Sequence, residues 1–322
     1  GPHELTVRGA DTLKRSDLMI GEVWLCSGQS NMAFRLNMLG YRGDPQQEDL
    51  PLLRMFTVPR TVSGEPRSDV GGSWQVSRPG QIMRWGGLPF FFGRGLQQHL
   101  GVPVGIINSS VGGTPIESWM SDQALSSVQD ENVQNFRAWV LRCVNNYDEM
   151  KRQHPDKKGI IAPDSPWRVN GLYNGMIHPL APYAMRGIAW YQGESNAGRA
   201  AVYGEELRTM IRDWRALWGE KPFLVVQLAG LENKDTWPLL RDEQMSATAQ
   251  PAVAVAGAAD LGHPTNVHPP APQKQKLADR LVLQARALAY GEDVVSGGPR
   301  VADVKEEGGE VRISFVSVGS GL

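Results

Sequence analysis

Residues 21–34 read G-E-V-W-L-C-S-G-Q-S-N-M-A-F, a short apolar run that ends in small and polar residues. Val23 to Cys26 are apolar without alternation, which is typical of a strand covered on both faces of a sheet. Ser27 to Asn31 are residue types that favour turns. In open α/β folds, ligands bind beside the carboxyl ends of the strands, so Ser30 is a candidate functional residue as well as a candidate turn residue. The rest of the sequence has to separate these two interpretations.

The same kind of apolar run recurs along the chain and alternates with helical patterns. Continuous runs of strand length lie at 22–26, 104–108, 187–191, 223–227 and 252–256. Helices are predicted over 88–100, 131–154, 203–218 and 277–288. The last two show amphipathic spacing and are each followed by a glycine within a few residues. Strands that alternate with helices predict a doubly wound α/β fold with a parallel central sheet.

The two ends of the chain differ from this pattern. Residues 1–19 and 295–322 show no helical spacing, and residues 311–315 alternate between apolar and polar side chains as an exposed strand does. We therefore expect an α/β domain over 20–294. The β-rich segments on either side of it are expected to be the edges of a flanking β region.

Composition argues against several classes of function. The 322 residues carry a formal net charge of −1 and no basic run, which disfavours nucleic acid as a partner, and no apolar stretch approaches the length that crosses a membrane. Two cysteines, Cys26 and Cys143, are too few for a disulfide framework. Neither they nor the histidines have the spacing of a metal site, so we expect no metal and no other cofactor. No positively charged segment followed by an apolar stretch opens the given sequence, so we expect either an intracellular protein or one whose signal has been removed.

The segments that follow the predicted strands bring reactive residue types to one edge of the sheet. Parallel strands place their carboxyl ends on the same side. The segments are G-Q-S-N (28–31), N-S-S-V-G-G-T (108–114), Q-G-E-S-N (192–196) and D-L-G-H-P-T-N-V-H-P (260–269). A serine becomes a nucleophile when an imidazole within hydrogen-bond reach takes its proton, and backbone N–H groups beside glycines suit an oxyanion. The parts of a serine hydrolase are therefore present.

Four blocks at this edge resemble the signature of the sialate O-acetylesterase family of the SGNH hydrolase superfamily. They are G-Q-S-N-M (28–32), G-G-T-P-I-E-S-W (112–119), W-Y-Q-G-E-S-N (190–196) and D-L-G (260–262) followed by H-P (268–269). The resemblance spans nearly the whole chain. It implies a flavodoxin-like, three-layer α/β/α hydrolase domain, a periplasmic or secreted location, and removal of O-acetyl groups from sialic acids or related glycans.

The resemblance also implies roles for individual residues. Ser30 is the expected nucleophile and His268 its base. The expected oxyanion hole consists of the backbone amides of Ser30 and Gly113 with the side chain of Gln192, and Asn196 competes with Gln192 for that role. Contacts with the acetylated carbohydrate are expected from three further residues of these blocks: Gln29, Asn31 and Glu194.

The group that orients His268 is the open point of this assignment. Relatives with an acid in the last block carry it two or three residues before the histidine, where this chain has Asn266 and Thr265. Asp260 is the remaining acid of the block and the candidate third member of a triad. The alternative is a backbone carbonyl that accepts the imidazole N–H, which leaves a Ser-His dyad. His263 is a rival base.

The predicted function is a serine esterase that forms an acetyl-enzyme intermediate on acetylated sialic acid or a related glycan. One alternative is deacetylation of a polysaccharide such as acetylated xylan, which uses the same machinery. An alternative of another class is a carbohydrate-binding module that has lost catalysis, because Thr265 and Asn266 replace acidic candidates. The oligomeric state is not predicted.

Overall fold

A mixed seven-stranded sheet lies at the centre of the computed structural model, which describes residues 2–232 and 235–319. The strands are β1 (His3–Arg8), β2 (Thr12–Leu18), β3 (Glu22–Gly28), β4 (Leu50–Thr57), β5 (Trp74–Ser77), β6 (Val104–Ser110), β7 (Gly187–Tyr191), β8 (Phe223–Val226), β9 (Val253–Ala256), β10 (Arg300–Glu307) and β11 (Glu310–Val316). The large sheet has the order β5-β4-β6-β3-β7-β8-β9, and only the edge strand β5 runs antiparallel to its neighbour. The predicted α/β fold is confirmed, with a mixed rather than purely parallel sheet.

Helices cover both faces of this sheet. They are α1 (Ser30–Ala33), α2 (Pro45–Glu48), α3 (Gly87–Leu100), α4 (Asp122–Ser127), α5 (Glu131–Asn145), α6 (Tyr147–Gln153), α7 (Tyr203–Trp218), α8 (Trp237–Met245) and α9 (Ala271–Tyr290). Short 3-10 helices span Leu36–Leu39, Gln81–Arg84, Ile116–Trp119, His178–Leu180, Glu194–Val202, Ser246–Ala249 and Ala259–Leu261, and a π-helix spans Tyr173–Ile177. In the ranges that the structure describes, no helix has both the length and the apolar character required to cross a membrane.

Two buried tryptophans show how the helical layers pack. Trp24 of β3 packs edge-on against Phe92 of α3, with ring centroids 5.3 Å apart, and Trp190 of β7 packs against Trp214 of α7 at 5.5 Å. Trp190 is in register with Ser27, three residues beyond Trp24, so the two indoles point to opposite faces of the sheet. The structure is therefore the three-layer α/β/α arrangement that was predicted.

The register of the central strands aligns their carboxyl ends. Gly28 of β3 is level with Ser110 of β6 and with Tyr191 of β7. Gly28 has a φ of +136°, and a Cβ atom here would lie 2.1 Å from the carbonyl oxygen of Tyr191, so only glycine fits this position. The segments that follow these three strands therefore meet at one edge of the sheet.

Two antiparallel hairpins lie outside the large sheet. β1 pairs with β2 and β10 pairs with β11, each as a separate two-stranded sheet with mostly exposed side chains. They occupy the segments 1–19 and 295–322 that the sequence predicts to be β-rich; residues 1 and 320–322 are outside the described residues. The division of the chain into a hydrolase domain and flanking β regions stays a prediction.

Candidate active site

Ser30 and His268 meet at the carboxyl edge of the sheet. Ser30 is the first residue of α1, two positions after the end of β3, and His268 lies in the loop that leads into α9. The Nε2 atom of His268 lies 3.0 Å from the Oγ atom of Ser30, although 238 positions separate the two residues in the chain. This is a hydrogen-bond distance, and it gives the pair the geometry of a nucleophile and its base.

The imidazole of His268 packs against an aromatic ring. The ring of Phe34 stacks on it with centroids 4.1 Å apart and an angle of 22° between the planes. The backbone N–H of His268 donates to Oδ1 of Asn266 at 2.9 Å, so Asn266 shapes the loop rather than the ring. Burial, and secondarily the ammonium of Lys274, lower the pKa of His268. The imidazole is therefore neutral, and able to accept a proton, over a wider pH range.

The structure does not bring Asp260 to His268. The Asp260 carboxylate accepts two hydrogen bonds from Arg280 at 2.6 and 2.7 Å, and this pairing lowers its pKa. Nδ1 of His263 accepts from the backbone N–H of Thr265 at 3.2 Å, within its own loop. Throughout 2–232 and 235–319, the ring of His268 has one hydrogen-bond partner, Ser30. Neither the carboxylate nor the backbone carbonyl considered above orients this ring, and the geometry is that of a dyad.

Gly112 and Gly113 lie beside the serine. The preceding Val111 donates its backbone N–H to the oxygen of Gly28 at 3.0 Å, which anchors the loop to the end of β3. A Cβ atom on Gly112 would lie 3.5 Å from the Cβ of Ser30, and Gly113 has a φ of +70°. Counting acceptors only in the described residues, the backbone N–H groups of Ser30 and Gly113 donate to none of them. Both N–H groups therefore remain available as hydrogen-bond donors.

The side chain of Gln192 is committed elsewhere. Its Nε2 donates to the carbonyl oxygen of Thr114 at 3.1 Å and to Oδ1 of Asn196 at 2.7 Å, and its Oε1 accepts from the hydroxyl of Tyr203 at 2.8 Å. Both amide hydrogens are therefore used, and the residue is fully buried. The sequence predicts that this amide donates to the oxyanion. In the structure, neither of its hydrogens is left for that role.

Asn196, the alternative donor, is also buried within the protein. Its Oδ1 accepts from the backbone N–H of Ile116 at 2.9 Å, and its Nδ2 donates to Oε2 of Glu117 at 2.9 Å. Glu117 in turn pairs with Arg199, whose guanidinium lies over the ring of Phe136. Asn196 therefore joins the segment after β7 to the loop after β6, and it has no exposed surface.

The three residues expected to contact substrate have partners inside the protein. Oε1 of Gln29 accepts from the backbone N–H of Ser195 at 3.3 Å, and Gln29 is 2% exposed. Nδ2 of Asn31 donates to Oε1 of Glu194 at 2.6 Å. Burial raises the pKa of Glu194, and its Oε2 is buried with no hydrogen-bond partner among the residues described. These side chains lie beneath the dyad.

Lys274, which was not predicted from the sequence, contacts Asn31. It is fully buried, and its Nζ donates to the Oδ1 and the backbone oxygen of Asn31 at 2.7 and 2.8 Å. The sequence predicts a helix that begins at residue 277, whereas α9 begins at Ala271 and includes Lys274. Pro272 is the signal for this earlier start, because proline is favoured in the first turn of a helix. In the described part of the chain, no three His, Cys, Asp or Glu side chains are arranged to hold a metal ion.

A family model matches most of the chain. The family model described as "Carbohydrate esterase, sialic acid-specific acetylesterase" matches residues 20–148 and 163–287. The chain belongs to this family. The matched ranges include Ser30, Gly113 and His268, whereas both terminal hairpins lie outside them. The resemblance inferred from the four sequence blocks is confirmed.

Curated relatives and a solved structure of a carbohydrate acetylesterase are similar to this chain over most of its length. The chain is 32% identical to sialate O-acetylesterase from Rattus norvegicus over 321 residues, which cover 87% of this chain and 59% of that protein. It is 32% identical to the Homo sapiens enzyme of that name, over 87% of this chain and 56% of that one, so it spans less than two thirds of these relatives. A carbohydrate acetylesterase from Xanthomonas citri has a TM-score of 0.81 and 34% identity, covering 98% of this chain and 67% of that one.

Proposed function

We propose that this chain is a serine esterase that removes O-acetyl groups from carbohydrate, with acetylated sialic acids as its substrate class. The observation that carries the proposal is the 3.0 Å contact between Ser30 Oγ and His268 Nε2 at the carboxyl edge of the sheet. Family membership supports the acetyl ester as the bond that is cleaved.

The acylation step follows from the geometry of the dyad. Ser30 Oγ attacks the acetyl carbonyl carbon while His268 Nε2 takes the hydroxyl proton. The negative charge that develops on the carbonyl oxygen is stabilised by the backbone N–H groups of Ser30 and Gly113. The bond from the acetyl carbon to the sugar oxygen then breaks, and His268 returns its proton to that oxygen. The sugar leaves as an alcohol, and the acetyl group stays on Ser30.

Deacylation repeats these steps with water as the nucleophile. His268 takes a proton from water as the water oxygen attacks the acetyl carbon, and the same two N–H groups hold the oxyanion. The bond between the acetyl carbon and Ser30 Oγ breaks, and His268 protonates Oγ. Acetate leaves, and the dyad returns to its starting state.

The charge of a neighbouring groove supports an acidic sugar as substrate. The groove has a volume of about 820 Å³ and is lined by Arg35, the residue that follows the Phe34 stacked on the imidazole of His268. Arg78 and Arg84 also line it, and its lining includes no acidic residue. A guanidinium binds a carboxylate through two parallel hydrogen bonds. Sialic acid carries such a carboxylate, whereas the xylose units of acetylated xylan do not.

Acetate release by a Ser30→Ala variant tests the proposal. The assay compares an aryl acetate, an O-acetylated sialic acid and acetylated xylan, with Ser195→Ala as a control that removes a hydroxyl from a neighbouring loop. We expect S30A to lose hydrolysis of all three esters while its melting temperature stays near that of the unsubstituted protein, because a single hydroxyl contributes little to folding. Retained hydrolysis in S30A would contradict the serine mechanism, and faster turnover of acetylated xylan than of acetylated sialic acid would contradict the substrate class.

A further inference from the structure

Asn31 connects the two catalytic loops beneath the dyad. It follows Ser30 in the chain, and its Nδ2 donates to the backbone oxygen of Val267, the residue before His268, at 2.9 Å. The same nitrogen donates to Oε1 of Glu194 at 2.6 Å. Asn31 is 2% exposed. One buried carboxamide therefore ties the loop that carries the serine to the loop that carries the histidine.

Lys274 fixes the direction in which this carboxamide points. Its Nζ donates to Oδ1 of Asn31 at 2.7 Å and to the backbone oxygen of Asn31 at 2.8 Å. An ammonium is a donor only, so the carboxamide oxygen must face it. The nitrogen then faces Val267 and Glu194, which both present acceptors. The contacts around Asn31 are mutually consistent in this one orientation.

The burial of Lys274 is unusual for a lysine. The residue is fully buried, and its Nζ lies 4.5 Å from the centre of the Tyr191 ring, where a cation is attracted to the aromatic face. Lysine is almost never fully buried unless its charge is paired, because removing an ammonium from water costs free energy. The hydrogen bonds that offset this cost go to the residue next to the nucleophile.

We propose that Lys274 is a positioning residue of the dyad, which holds Asn31 so that Ser30 and His268 stay at hydrogen-bond distance. Lys274 touches neither the reacting atoms nor the expected substrate position. The inference rests on the proposed function, because it assigns the lysine a part in activating Ser30.

Because Lys274 is charged, its positioning role can also be measured in the pH dependence of kcat/KM. The ammonium is one of the causes that lower the pKa of His268. Burial lowers the pKa of Lys274 itself to about 7, so the lysine is charged in the acidic range where His268 titrates. Removing it should raise the pKa of His268 and move the acid limb of the kcat/KM profile to higher pH.

Other charged and titratable groups face α9 from the elements packed against it. Glu194 favours the charged lysine, and Tyr191 of β7 has a pKa raised by burial. On the side of α3, Arg94 donates to Gln275, and on the side of the Ala259–Leu261 turn, Asp260 binds Arg280. β8 and β9 present apolar side chains. Among the described residues, Lys274 is the charged group that lowers the pKa of His268, so the shift of the acid limb reports on its ammonium.

Lys274→Met tests the proposal, because it keeps an unbranched side chain only one atom shorter and removes its charge and donors. We expect kcat for an aryl acetate at pH 7 to fall about 100-fold with little change in KM, since a misplacement of about 1 Å in the reacting groups has that effect. The acid limb of kcat/KM should move to higher pH. Lys276→Met is the matched control: it alters an exposed lysine two positions along the same helix and should leave both quantities unchanged.

Asn31→Asp is the second variant, and it decides the matter if K274M does not fold. It keeps an oxygen for Lys274 but removes the donor to Val267 and places a carboxylate beside Glu194, so we expect a loss of kcat of the same order. Wild-type kcat in folded N31D or K274M would overturn the proposal, as would a loss in K274M without the pH shift, which is the result of a purely structural role. S30A distinguishes failure of this inference from failure of the proposed function. Retained hydrolysis in S30A contradicts the serine esterase function itself.

Discussion

Asp260→Asn tests whether the dyad works without a carboxylate partner. The Asp260 and Arg280 side chains are 62% and 38% exposed, with their closest atoms 2.6 Å apart. An exposed ion pair contributes about 0.2–1 kcal/mol to the free energy of unfolding, so D260N should lower the melting temperature by about 4 °C at most. Because Arg280 lowers the pKa of Asp260, this contribution is complete above the ordinary pKa of an aspartate and is lost as the pH falls through the lowered value.

The effect of the same change on turnover separates the two accounts of His268. Loss of the carboxylate of a complete triad lowers kcat by about 10⁴, whereas a remote ion pair should alter it by less than about threefold. The assay is aryl acetate hydrolysis at pH 7, well below the melting temperature, with Arg280→Gln as the matched variant that breaks the same ion pair from its other side. A fall in kcat of several orders of magnitude in D260N, without a similar fall in R280Q, would refute the dyad.

Two further predictions concern the surroundings of the dyad. In Phe34→Ala, water reaches the imidazole, so the pKa of His268 should rise and the acid limb of the kcat/KM profile should move to higher pH. Phe34→Leu keeps an apolar side chain over the imidazole and should shift the limb less. An unmoved limb in F34A would contradict the role of burial. In Gln192→Leu, the buried hydrogen-bond partners of the amide are left unsatisfied, so thermal denaturation should show a loss of about 1–3 kcal/mol in the free energy of unfolding. A fall in kcat of about 10²–10³ in folded Q192L would instead restore Gln192 as an oxyanion donor.

Within the large sheet, the sequence predicts the strands that contain a continuous apolar run. β3, β6, β7, β8 and β9 each contain such a run, because helices cover both faces of the sheet. β4 and β5 were not predicted. In β4, Pro51 and Arg54 interrupt the apolar pattern, and the strand buries few of its side chains. β5 has four residues at an exposed antiparallel edge, where little burial is available to leave a pattern in the sequence.

The site was predictable where it depends on local motifs and not where it depends on distant contacts. Ser30 and His268 stand in blocks that can be recognised along the chain, and the structure brings them together. The partners of Gln192, Asn31 and Asp260 lie on other elements, so their hydrogen bonds follow from packing that no local pattern records. Lys274 is the clearest case, since it reaches Asn31 across 243 positions of the chain.

Labelling with a fluorophosphonate, followed by peptide mass spectrometry, tests most directly whether His268 activates Ser30 as a nucleophile. The reagent reacts with a serine hydroxyl only when a neighbouring base removes its proton. The account predicts one adduct, on Ser30, and a labelling rate that falls by orders of magnitude in His268→Ala. An adduct on another residue, or a His268→Ala variant that labels as fast as the unsubstituted protein, would contradict it.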